Sequence, residues 1–111
     1  MGIGVKNINI AEDFSPAPAG RYLTDGDFTG ELFRTKHLRP AIEKGYKVII
    51  NVAGLIGAGS SFMEEAFGGL IRTDNCTLEQ LRQKLAIVPE DDDYAMEIWE
   101  YIEKEARIKK Q

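Results

Sequence analysis

Two adjacent hydroxyls, Ser60 and Ser61, stand between a glycine-rich stretch, Gly54-Leu-Ile-Gly-Ala-Gly59, and an apolar segment of helical period. A turn of this kind leading into a helix offers backbone N–H groups beside the positive helix end, and both favour an anion. Three chemistries use such a turn: phosphate cradling, nucleophilic attack and phosphoryl acceptance. Gly54, four residues and Gly59 follow the P-loop spacing, but Ser60 stands where the lysine that reaches the outer phosphates belongs. The dinucleotide fingerprint, started at Gly57-Ala-Gly59, meets Phe62 at its third glycine position. A nucleophile elbow reads Gly-x-Ser-x-Gly, and Gly59-Ser60-Ser61-Phe62-Met63 departs from it. A serine nucleophile also wants a histidine partner, and the chain has only His37, on a different expected helix. No catalytic residue is assigned, and the chain is read as a non-enzyme.

Phosphoryl acceptance fits the physics better. Ser61-Phe62-Met63-Glu64 reads as a capping box, which accounts for Ser61 as a helix start. Ser60 then lies one residue outside the cap and carries the freer hydroxyl. A phosphate there would face the positive helix end and add about 1.5 to 2 negative charges to the surface. Ser60 and Ser61 are the phosphorylation candidates, with Ser60 first. The Gly54–Ser61 turn as a small-ligand or nucleotide-phosphate site is the alternative.

The remaining reactive groups add little. Cys76 is the only cysteine, so no internal disulfide forms, and it reads as a partly buried loop thiol in a reducing compartment. His37 reads as a helix-surface residue. One cysteine and one histidine make a poor zinc site, so neither a metal nor a cofactor is expected. The net charge of −4 argues against a nucleic-acid surface. The start Met1-Gly2-Ile3-Gly4-Val5-Lys6 lacks the basic flank and apolar run of a secretory signal, and Lys6 sits where a myristoylation pattern wants Ser or Thr. No run is long enough to cross a bilayer. A cytoplasmic protein without membrane contact is expected.

The elements that must position the serines follow from periodicity. A chain of 111 residues, 43% hydrophobic, suits one domain spanning 1–111. Val5 to Ile10 alternates as a half-buried strand, and Phe14 to Gly20, with two prolines, is a connector. Arg21 to Thr24 returns as a short strand, pairing antiparallel with the first. Thr29 or Asp27 caps a helix carrying Leu32, Phe33, Leu38, Ala41 and Ile42, which Pro40 kinks or breaks and Gly45 ends. Val48-Ile49-Ile50 marks a strand buried on both faces. After the glycine turn, Phe62, Met63, Ala66, Phe67, Leu70 and Ile71 line a core helix. A short helix capped by Thr77 and Gln80 leads to a strand over Leu85 to Val88. Asp91 to Asp93 open a last helix with Ala95, Ile98, Trp99, Ile102 and Ala106 on one face. Its four-apart pairs, Glu100–Lys104, Glu103–Arg107 and Glu105–Lys109, read as a solvated face, with fraying after Ala106.

Three blocks, in order, carry a family resemblance. They are Phe14-Ser15-Pro16 with Gly20-Arg21-Tyr22; Thr29-Gly30-Glu31 with Phe33-Arg34, Leu38 and Pro40; and Ser60-Ser61-Phe62 with Glu65-Ala66-Phe67-Gly68. On these the chain resembles the STAS-like family, small relatives of the sulphate transporter and anti-sigma factor antagonist domains. The resemblance implies an α/β domain with an about four-stranded mixed sheet and about four helices. It also implies a regulatory protein-interaction module. In anti-sigma factor antagonists the matching turn reads Asp-Ser-Ser-Gly or Asp-Ser-Thr-Gly, and a partner kinase phosphorylates the first serine. Ser60 matches that serine; Gly59 stands for the Asp and Phe62 for the Gly. The implied partner is a protein, an ATP-binding kinase-like regulator. Arg21, Glu31, Arg34, Gly59 and Ser60 are candidates for its surface. The plainer reading of Glu31 and Arg34 is a helix-surface pair three residues apart. A self-associating structural subunit, and hence a homo-oligomer, is a third reading.

Overall fold

The computed structural model describes residues 4–110, so the reading of Met1 to Ile3 lies outside the described residues. Strand β1 (Val5–Asn9) runs straight into a one-turn helix, α1 (Ile10–Asp13). Asn9 makes that switch, since its side chain accepts the Glu12 N–H at 3.0 Å. After the connector comes α2 (residues 30–43), then β2 (Lys47–Asn51) and α3 (residues 60–72). The chain ends with α4 (Leu78–Lys84), β3 (Leu85–Val88) and α5 (Asp93–Lys109).

The sheet has three strands in the order β1-β2-β3, all parallel. This corrects the expected four-stranded mixed sheet. Arg21 to Thr24 is no strand: residues Leu23–Asp25 form a 3-10 turn. Asp25 folds back to accept the N–H groups of Arg21 and Tyr22 at 3.2 and 2.8 Å, which leaves these amides nothing for a ladder. Helices number five among the described residues, counting the one-turn α1.

The buried side chains of the sheet lie on one face: Ile8, Val48, Ile50, Leu85 and Ile87. On the other face Val5, Asn7 and Lys47 are exposed, and Ile49, Asn51, Ala86 and Val88 are half-buried. β2 is therefore covered on one side only, although its apolar run suggests two.

Helices α2 and α3 each carry a wide turn with i to i+5 bonding at mid-length: Arg34–Leu38 in α2 and Glu64–Gly68 in α3. In α2 this turn explains how Pro40 is tolerated. Arg39 donates its N–H to Arg34 O, and the helix continues through Pro40 without a break into two. Thr29 is the cap, accepting the Leu32 N–H at 3.3 Å. The two helices touch at Gly30. A Cβ placed there would lie 2.5 Å from the carbonyl oxygen of Phe62 and 2.9 Å from the nitrogen of Ala66.

The expected stripe of α3 is buried in full, from Phe62 to Ile71. The Thr77–Gln80 capping box forms, and Asp92 caps α5. The charges of α5 do not pair along the helix as expected. Glu103 meets Arg82, and Glu105 meets Arg72. Lys109 reaches Ile71 O and Asn75, so the helix stays tied down past Ala106 instead of fraying. No helix among the described residues is long and apolar enough to cross a membrane.

Candidate functional site

The serine turn is held from below by the proline connector. Ser15 Oγ accepts the Ala17 N–H at 3.1 Å and stiffens that segment. Its carbonyls then take two amides of the turn: Ile56 N–H donates to Pro16 O at 2.9 Å, and Gly59 N–H to Pro18 O at 3.1 Å. Phe14 pins the connector to the core, with ring centroids 5.1 Å from Phe33, 5.3 Å from Phe28 and 6.0 Å from Phe62.

Helix α3 begins at Ser60, with Gly59 as its N-cap in extended geometry and no side-chain cap. The expected Ser61–Glu64 capping box is therefore absent. Ser60 and Ser61 are both exposed and both lie inside the first turn. Glu64 turns away from the helix start because Arg21 takes it, at 2.5 Å. The first-turn amides of α3 have no partner within their helix, as at any helix start. Earlier in the turn, Ala53 N–H goes to the Asn51 side chain and Leu55 N–H to Val52 O. With Ile56 and Gly59 also committed, three amides of the Gly54–Ser61 turn serve protein acceptors.

Ser60 has a neighbour that the serine motif does not reveal. The phenol of Tyr101, on α5, lies near the side chain of Ser60 and donates to Glu97 Oε2 at 2.7 Å. Burial, then the hydrogen bond to Glu97 and its charge, push Tyr101 up to about 12, with Ser60 acting the other way. Glu97 and Tyr101 sit four apart on α5, a spacing the sequence displays without saying what it faces. Tyr101 thus links Glu97 to the neighbourhood of Ser60, and Glu64, four residues on in α3, is held by Arg21.

The other candidates part company. Glu31 stays near the site and accepts the Leu23 N–H at 2.9 Å. Arg34 does not: it is 3% exposed and meets Glu65 at 2.6 Å inside the molecule. Glu31 and Arg34 do not pair with each other, so both readings of Arg34 give way to a core ion pair. Around Arg34 the charges interlock. Glu65 also holds Arg72 at 2.9 Å, and Asp74 holds Arg39 at 2.6 Å. Arg34 Nε and Asp74 Oδ2 face each other at 3.5 Å, and neither has a hydrogen bond.

His37 is half-buried, not on the surface. Its ring lies 5.4 Å from Phe33 and 5.8 Å from Phe14, and burial followed by the Lys36 charge lowers its pKa. Cys76 lies at the far end of α3 in a cleft of about 410 Å³ with Arg39, Thr73 and Asp74. Burial and Asp74 push its thiol up, so it is held protonated, the opposite of a nucleophile. No group of three metal-ligating side chains occurs among the described residues.

No curated protein and no solved structure matches the chain. A family model described as a STAS-like domain of unknown function (DUF4325) matches residues 29–95. That span opens on the Thr29 cap of α2, crosses the serine turn and ends in the first turn of α5. Covering more than half of the sequence, with the site inside it, the match places this chain in the STAS-like domain family.

Proposed function

We propose that the protein is a non-enzymatic regulatory module that binds a protein partner through the face around Ser60 and is switched by phosphorylation of that residue. One observation carries this reading. Ser60 offers an exposed hydroxyl in the first turn of α3, held by a braced connector and free of any capping duty. The family membership supports it. A phosphate there would gain the helix N-terminus and compete with Glu64 for Arg21. Arg21 begins the exposed loop that carries Tyr22 and Leu23, so the competition reaches the surrounding surface. A kinase-like regulator that binds ATP is the partner class the resemblance suggests.

The test has two arms. Phosphopeptide mapping of the protein from its own cells should find phosphate on Ser60. Partner capture should differ between wild type, Ser60→Ala and Ser60→Glu. An unmodified Ser60, together with equal partners and affinities for all three forms, would remove the switch.

Self-association is the second reading, and the uncovered sheet face favours it. All-parallel sheets are ordinarily covered on both faces, yet Val5 here is 54% exposed at the open edge. Sedimentation at millimolar concentration decides this, and a monomer would dismiss it.

A further inference from the structure

Four of the largest exposed apolar side chains fall on one region. Ile56 is 82% exposed, Leu23 55%, Tyr22 53% and Phe28 45%. The connector draws them together. Pro16 O holds Ile56, Pro18 O holds the Gly59 that precedes Ser60, and Ala19 N–H donates to Phe28 O at 3.1 Å. Arg21, next along the chain, ties this loop to Glu64 on α3. The charges here are one-sided. Residues 14–31 and 52–64 contain Asp25, Asp27, Glu31 and Glu64, and Arg21 is their only cation, while Glu65 is buried with Arg34 and Arg72 and takes no part in this rim. That cation is spent, lying 2.5 Å from Glu64 and 3.7 Å from Glu65. Glu97, beside Ser60 through Tyr101, adds another carboxylate.

An exposed apolar patch with a rim of one sign selects a partner of the opposite sign. We infer that this face docks a protein surface that is apolar at its centre and basic at its rim. Its lysines or arginines meet Glu64, Asp27 and Glu97, and its apolar side chains cover Ile56 and Leu23. The inference rests on the regulatory reading of this face and fixes the sign of the switch. Negative charge on Ser60 adds to an acidic rim, so it tightens such a partner instead of releasing it.

The test uses two synthetic amphipathic helical peptides with the same leucine spacing, one with lysine and arginine on its polar face and one with glutamate. Backbone resonances of the full chain are followed as each is added. The basic peptide should shift Leu23, Ile56 and Ser60, and should weaken steeply with added salt. Ile56→Asp should weaken it by about tenfold or more, and Ser60→Glu should tighten it, with circular dichroism showing that both variants fold. Equal binding of the acidic peptide, shifts confined to the sheet or to α4, or no shift at all would each overturn the inference. If Ser60 variants change partner capture while the basic peptide leaves this face untouched, the regulatory reading stands and the partner chemistry fails. If capture is indifferent to Ser60 while the basic peptide docks here, the reverse holds.

Discussion

Gly59 occupies the N-cap of α3 in extended geometry and brings no side chain to it, while Ser61 lies too far into the helix to cap. A Cβ at Gly59 would meet nothing closer than 3.7 Å, so a serine fits there. Gly59→Ser should raise stability by a few tenths of a kcal/mol. Ser61→Ala should leave it within about 0.5 kcal/mol, where a capping role would cost more. Urea unfolding of the two variants reads both. Arg34 belongs to a different regime, because it shares a buried site with Glu65. Arg34→Met removes one partner of a buried pair and should cost about 3–5 kcal/mol. A loss under about 1 kcal/mol would show that Arg21 and Arg72 satisfy Glu65 without it. His37 supplies the pH dependence. Burial against Phe14 and Phe33 and the charge of Lys36 lower its folded pKa below the unfolded 6.5, with Lys6 adding to this and Asp13 opposing. The unfolded chain therefore takes up the proton first. The contribution of neutral His37 is complete above the unfolded pKa and is lost as pH falls through it. Melting midpoints from about pH 7.5 down to about pH 5 should fall more steeply for wild type than for His37→Gln. Parallel curves would remove His37 from the account.

Helices α2 and α3 meet where Gly30 lets their backbones touch, and each carries a wide turn close by. Alanine is ordinarily the better helix residue, by about 0.5–1 kcal/mol. Here the added methyl meets a backbone carbonyl and a backbone nitrogen, which cannot yield as a flexible side chain does. Gly30→Ala should therefore reverse sign and cost about 1–3 kcal/mol net, read by urea unfolding. A stabilised variant would mean that the helices separate easily. The stripes of α2, α3 and α5 were legible as periodicity, Thr77 as a cap and Thr29 as one of two cap choices, because both signals lie within a few residues along the chain; that Asp92 caps α5 came from the structure. The capping box at Ser61 was misleading for the same reason. Its pattern is complete locally, but Glu64 is claimed by Arg21, forty-three residues away. The short strand expected at Arg21 was lost to Asp25, whose carboxylate takes the amides that a ladder would need.

The molecule as a whole is a three-stranded sheet with its buried side chains on one face and its site on the connectors. Hydrogen exchange should follow that division. The central strand β2 and the inner turns of α3 should exchange slowest, and residues 20–28 fastest, since exposed connectors open locally before the core does. Slow exchange throughout 20–28 would mean that the Arg21–Glu64 tie is as firm as the core. By itself the sequence determined the elements from α2 to α5 in their order, the core stripes, the serine turn and the family resemblance. These rest on residue types and short spacings, which a chain carries whether folded or not. Only the tertiary structure decided the number and direction of the strands, since pairing depends on which segments meet. It also moved Arg34 from a candidate surface into a buried ion pair, placed His37 among phenylalanines and brought Tyr101 and Glu97 to Ser60. Each of those is a contact between residues far apart in the chain. No local pattern encodes it, and the packing of α2, α3 and α5 around one core sets it.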